Sequence, residues 1–128
     1  MQTFKKNERL CSKKIIDLVF KQGQSIFTHP YKLIWLETTL ETTTPVQLLI
    51  AAPKKHHKTA VARNHIKRLI KEAYRKNKTE LYTLINQQKK QYAIVIISIA
   101  QEKPDYHETE KKIVLLLHKL TQRLNENS

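Results

Sequence analysis

Apolar residues in this chain recur with a helical period in some stretches and run together or alternate in others, and the changes mark the elements. In "KKIIDLVFK", Ile15, Leu18 and Val19 share one helical face, and Ile16 and Phe20, one turn apart, form a second apolar edge. Ser12 is placed to cap this helix from Lys13 to about Lys21, and Gly23, the only glycine, to stop it. Pro30 breaks any helix before "YKLIWLETT", whose alternation from Tyr31 predicts a strand. The β-branched, polar run "ETTLETTTPV" is read as a hairpin connection to a second strand, "QLLIAAP", at residues 47 to 53. Thr59 is a candidate N-cap for a central helix from about Ala60 to Arg75, and "NKTELYTLINQQKKQ" either extends it or forms a separate turn. "YAIVIISIA", residues 92 to 100, is a continuous apolar run, as a strand buried on both faces requires. Beyond Pro104, Asp105 and Glu108 resemble a capping box that opens a last helix with Ile113, Leu116, Leu117, Leu120 and Leu124 as its stripe. The order predicts a single α/β domain over residues 1–128, a helix-and-sheet sandwich whose last two strands are parallel neighbours joined by a crossover.

The central helix carries the first functional clue. In "ARNHIKRLIKEAYRK", residues 62 to 76, Ala62, Ile66, Leu69, Ile70 and Ala73 form a core stripe with Tyr74 at its edge. Arg63, Lys67 and Lys71 form a row on the other side, beside Asn64, Arg68 and Arg75. Like charges four apart cost a few tenths of a kcal/mol per pair, so helix stability is not the reason for the row. A polyanion outside the chain would offset the repulsion.

Composition sharpens this. The chain holds 24 Lys and Arg against 11 Asp and Glu, a formal charge of +13. Residues 51 to 90 hold twelve of those cations and only Glu72 and Glu80 among the acids. Ordinary surfaces intersperse both signs, so the block reads as a phosphate-binding surface rather than a solvated face. Lys54, Lys55 and Lys58 approach the helix, and Arg63, Lys67, Arg68 and Lys71 continue along it. Arg clamps phosphate through paired N–H groups and Lys acts as a point charge, a mixture suited to a backbone followed over several nucleotides. Asn64, a modest helix former among cations, can donate and accept hydrogen bonds there.

Catalytic groupings are sparse. The six histidines (His29, His56, His57, His65, His107 and His118) include no pair at the i, i+4 spacing of a helical zinc site, and they read as solvated or phosphate-contacting. With one glycine a phosphate loop of glycines cannot form, and Cys11, the only cysteine, excludes an internal disulfide and points to a reducing compartment. The N-terminus lacks a signal-peptide core and no apolar run is long enough to span a bilayer, so a soluble, cytoplasmic protein is expected.

The block "PKKHHKTAVARNHIKRLIKEAYR", residues 53 to 75, resembles the signature of the bacterial ribonuclease P protein subunit: two lysines, a spacer, then Arg-Asn-Arg-x-Lys-Arg-Leu-x-Arg/Lys-Glu and an aromatic. "FKKNERLCSKKIIDLVFKQGQS" is similar to the family's basic N-terminal segment and first helix, and "QYAIVIISIA" to its last strand. The resemblance implies a mixed sheet of about four strands packed with three helices, in the order α-β-β(-β)-α-β-α, and a left-handed crossover around the basic helix. It further implies an accessory protein that binds a catalytic RNA and precursor tRNA and promotes endonucleolytic removal of the 5′ leader. Hydrolysis would lie in the RNA with Mg2+, with no catalytic side chain and no metal held by the protein. Carried over by position, Lys54, Lys55, Arg63, Asn64, His65, Lys67, Arg68 and Lys71 would contact the catalytic RNA, and Ile16 and Phe20 the single-stranded leader. Three departures stand out. His65 replaces the second motif arginine, a permanent charge, with an imidazole. Ile16 stands where an aromatic is frequent, and the spacer HHKT lacks a frequent glycine.

The competing reading is a general RNA-binding or ribosome-associated structural protein, with the same charges but no leader preference. Sequence-specific DNA binding fits less well, since a buried strand follows the basic helix where helix-turn-helix modules stay helical. Membrane-surface binding is disfavoured because the core needs the apolar stripe of that helix.

Overall fold

A computed structural model describes residues 4–100 and 104–126. A 3-10 turn (Lys6–Glu8) precedes α1 (Lys13–Gln22), three strands β1 (Gln24–Thr28), β2 (Tyr31–Glu37) and β3 (Val46–Ala51), two helices α2 (Ala60–Asn77) and α3 (Thr79–Gln88), β4 (Tyr92–Ser98) and α4 (Tyr106–Glu126). The strands form one mixed sheet in the order β1-β2-β4-β3, with β1/β2 and β2/β4 antiparallel and β3/β4 parallel.

The most apolar strand takes an inner position. From Tyr92 to Ile96 every residue of β4 is buried, and α2 and α3 connect it to the parallel β3, as the sequence predicts. The hairpin expected between β2 and β3 does not form, because β4 lies between them. The segment from Thr38 to Pro45 instead crosses the end of the sheet, held by Gln91, whose Nε2 donates to the carbonyls of Thr42 (2.6 Å) and Thr44 (2.9 Å) while its Oε1 accepts from Leu40 N–H (2.9 Å). The fourth strand is β1, paired from Gln24↔Trp35 to Thr28↔Tyr31. Four α-helices stand where three were expected, since residues after Asn77 fold as a separate helix: the Asn77 amide donates to the Ala73 carbonyl (2.8 Å), and a single residue, Lys78, precedes α3.

The sheet divides the core in two. On one face α2, α3 and α4 bury Leu33, Trp35, Leu48, Ile94 and Ile96 together with Ile70, Tyr74, Leu81, Leu116 and Leu120. On the other, Val19 of α1 and Leu10 before it cover Ile34, Ala93 and Val95. Gly23 ends α1, but with φ −68° and ψ 152°, not in the left-handed conformation. Its glycine is required by space: a Cβ there would sit 2.4 Å from the Val19 carbonyl oxygen and 2.7 Å from Ile34 Cγ2, closer than packed atoms tolerate.

Residues 4 to 10 cover the outer edge of β3, through an Arg9↔Leu48 bridge and a hydrogen bond from Leu10 N–H to the Leu48 carbonyl (3.0 Å). The segment is fixed to the helical layer by Glu8, which accepts from Lys78 Nζ (2.5 Å), Tyr82 Oη (2.7 Å) and the Lys5 backbone N–H (2.7 Å). Tyr74 donates in turn to Tyr82 (2.8 Å) and is fully buried rather than at the stripe's edge.

Candidate nucleic-acid interface

The cationic surface begins where β3 ends. Pro53 accepts hydrogen bonds from the N–H groups of His56 and His57, both 3.0 Å, and curls residues 53 to 57 into a turn. Lys54, Lys55 and Lys58 are exposed, while His57 is only 6% exposed. Thr59 then caps α2 as expected, its Oγ1 accepting from Ala62 N–H (3.1 Å).

On α2, Ile66, Ile70, Ala73 and Tyr74 are buried and Leu69 is half-buried, whereas Ala62, assigned to the stripe from sequence, is exposed in the first turn of the helix, before the stripe reaches the core. Burying each large apolar side chain is worth about 1.5–3 kcal/mol, against a few tenths for each like-charged pair, so the packed face holds the helix in place despite its strip of charge. Asn64, Lys67 and Arg68 are exposed or nearly so, and Arg63, His65 and Lys71 complete the strip beside them.

These cations differ in what else they touch. Arg63 Nη1 donates to the His57 carbonyl (3.1 Å), so one arm of its guanidinium closes the turn onto the helix. Lys71 Nζ lies 5.5 Å from the centre of the Phe4 ring, a cation–π contact that the N-terminal segment supplies. Arg75 is paired with Glu72 one turn before it, and that partner holds the Glu72 carboxyl below its usual range. Among the described residues, Lys54, Lys55, Lys58, Lys67 and Arg68 make no ion pair. Among the cations of this surface, these five, without a carboxylate partner, lie on the turn and the N-terminal half of α2.

The second candidate region lies on the other face of the sheet. Ser12 Oγ accepts from Ile15 N–H (3.3 Å) and starts α1. Ile16 is partly buried against the small core cluster, whereas the Phe20 ring is 52% exposed. Sequence reasoning missed Phe27, 47% exposed: it pairs with Lys32 in register, and Ser25 with Ile34, so by the pleat it faces the α1 side of the sheet. Its signal lay in "SIFT" before Pro30, a run too short to stand out. The expected RNA contacts thus lie on or beside α2, and Ile16 and Phe20 lie on α1, whose packing is against the opposite face of the sheet.

His57 Nε2 lies 3.2 Å from Ser98 Oγ, and both side chains are buried. Instead of the solvated or phosphate-contacting role read from the sequence, His57 is thus a buried structural group; a backbone turn and a serine 41 positions away bury it. Among the described residues no three His, Cys, Asp or Glu side chains are grouped to hold a metal ion, and no helix is long and apolar enough to cross a membrane.

Comparison with known proteins identifies the family. The family profile described as Ribonuclease P matches residues 4–121. The ribonuclease P protein component of Chlorobium phaeobacteroides is 31% identical, over 98% of this chain and 92% of its own length. That of Porphyromonas gingivalis is 29% identical over 83% of this chain and 77% of its own. Among solved structures, the ribonuclease P protein from Thermotoga maritima superposes with a TM-score of 0.69 at 25% identity, covering 88% of this chain and 96% of that one. The Staphylococcus aureus protein gives 0.66 at 18% identity, over 88% and 94%.

Proposed function

The chain belongs to the ribonuclease P protein family, and from that premise we propose that it binds the catalytic RNA through the turn and α2 and the single-stranded 5′ leader of precursor tRNA through the α1 side of the sheet, promoting removal of that leader in the cytoplasm. The observation that carries the reading is the set of exposed, unpaired cations at Lys54, Lys55, Lys67 and Arg68 on elements whose other side is locked into the core. A rigid array of this kind neutralises successive phosphates without refolding, and counterion release supplies most of the affinity. Asn64 adds a neutral donor and acceptor, and His65 and Lys71 extend the strip. On the α1 side the exposed Phe20 ring offers a surface on which a base stacks, flanked by the aliphatic Ile16. The protein's part is thus to hold phosphates and orient the leader. Bond cleavage is assigned to the RNA partner, which would also carry the Mg2+.

The deciding experiment is cleavage of a 5′-labelled precursor tRNA at low magnesium with a bacterial ribonuclease P RNA alone, the protein alone, and both. Activity restricted to the mixture is the expected result. A protein that adds nothing to a competent RNA would overturn the reading in favour of a general RNA binder. In a binding titration alongside it, Phe20→Ala is expected to weaken binding of precursor tRNA about 5- to 160-fold, the worth of one stacked base, with mature tRNA unaffected. An unchanged preference for precursor would remove Phe20 from the leader site.

A further inference from the structure

We infer that His57 is a positioning residue that sets the direction of the lysines in the turn, acting as the one buried node between β3, β4 and α2. Three observations converge on it. Its backbone N–H is bonded to Pro53 at the end of β3 (3.0 Å), its carbonyl accepts Arg63 Nη1 on α2 (3.1 Å), and its ring nitrogen Nε2 meets Ser98 Oγ at the end of β4 (3.2 Å). Ser98 Oγ is itself fixed, accepting the Ala100 N–H (3.3 Å). Between Pro53 and Thr59 no other residue is buried: Lys54, Lys55 and Lys58 are exposed, and a lysine on an untethered turn would sample many directions.

The polar ring matters for more than filling space. A phenyl group would occupy a similar volume, but it would leave Ser98 Oγ with one partner fewer in a fully buried place and would release the turn from β4. The side-chain bond to Ser98 and the main-chain bond to Arg63 together couple the turn to the helix that carries Lys67 and Arg68, so both groups of cations meet an RNA backbone in one fixed register. In this fold the arginine of the Arg-Asn pair therefore serves partly through His57.

The inference rests on the proposed docking of the turn on the catalytic RNA, and the test separates the two. Affinity of the full chain for a bacterial ribonuclease P RNA would be measured across a salt series for wild type, Lys54→Ala with Lys55→Ala, His57→Phe, His57→Gln and Ser98→Ala, with thermal midpoints alongside. The double lysine variant is expected to lower the salt slope by about 2, one for each phosphate that is no longer neutralised. His57→Phe and Ser98→Ala should each produce at least half of that reduction while remaining folded, and His57→Gln, which places an amide nitrogen near the position of Nε2, should restore the wild-type slope. A purely structural role would shift the midpoint without moving the slope of the folded protein, and that result would overturn the inference, as would an effect of His57→Phe that Ser98→Ala fails to reproduce. If the double lysine variant keeps the wild-type slope, the docking assignment of the turn falls, and the role of His57 falls with it.

Discussion

Replacing Glu8 with Ala is expected to destabilise the protein by about 3–5 kcal/mol, the cost of breaking a buried ion pair by removing one of its members. Glu8 and Lys78 are 5% and 7% exposed, and the carboxylate also gathers the Tyr82 hydroxyl and the Lys5 N–H, so removing it takes one acceptor from three donors at once. Chemical denaturation measures the effect. The pair itself need not be worth that much, since an apolar pair of similar volume frequently does as well. Glu8→Leu combined with Lys78→Met should therefore recover a large part of the stability. If the single and double variants are equally unstable, the cost comes from loosening residues 4 to 10 rather than from the broken ion pair.

The same site gives stability a pH dependence of defined sign. Burial works to raise the Glu8 carboxyl, but the hydrogen bonds from Lys5, Lys78 and Tyr82, with the Lys78 charge, outweigh it and hold the group below its usual range. A carboxyl depressed by folding contributes stability that is complete above its unfolded value, about 4.3 for glutamate, and is lost as pH falls through the folded one. Wild type should thus lose stability as the pH drops below about 4, and Glu8→Gln should lose less over that window. The consequence extends to the interface, because the segment held by Glu8 also carries Phe4, packed edge-on against Tyr74 at 6.0 Å and in cation–π contact with the Lys71 ammonium.

The features legible in the sequence were those carried by local period. The stripe of α2 through Ile66, Ile70 and Ala73, the isoleucine and leucines of the α4 stripe, and the unbroken run of β4 each declare themselves within one element. Thr59 and Asp105 act as the caps their positions suggest, the latter accepting Glu108 N–H at 2.8 Å. Strand order is a different kind of information. Nothing between Tyr31 and Ala51 indicates that β4, far downstream, inserts between two strands adjacent in sequence; that follows from burying the most apolar strand on both faces. β1 escaped because an edge strand of five residues, largely solvated, has almost no pattern. The candidate site divides along the same line. Motif and charge locate the cations, but which are free and which are occupied depends on contacts as remote as Glu8 with Lys78, seventy positions apart, and His57 with Ser98.

That division leads to the second large effect. Changing Lys54, Lys55, Lys67 and Arg68 together to Ala is expected to reduce affinity for the catalytic RNA about a thousand-fold at physiological salt and to lower the salt slope by about 3 to 4, because each exposed cation releases about one counterion. Stability should move by less than about 0.5 kcal/mol or rise slightly, since these side chains are exposed, have no carboxylate partner, and repel one another. Changing Arg75 and Lys78, equally cationic in the sequence, should do the reverse: both are engaged with carboxylates, so Lys78→Ala costs stability while the salt slope of the folded protein stays near that of wild type. The contrast tests the structural assignment rather than the net charge. If the fall in affinity follows the number of positive charges removed and not their position, binding is a diffuse effect of the +13 chain and α2 has no special place in it.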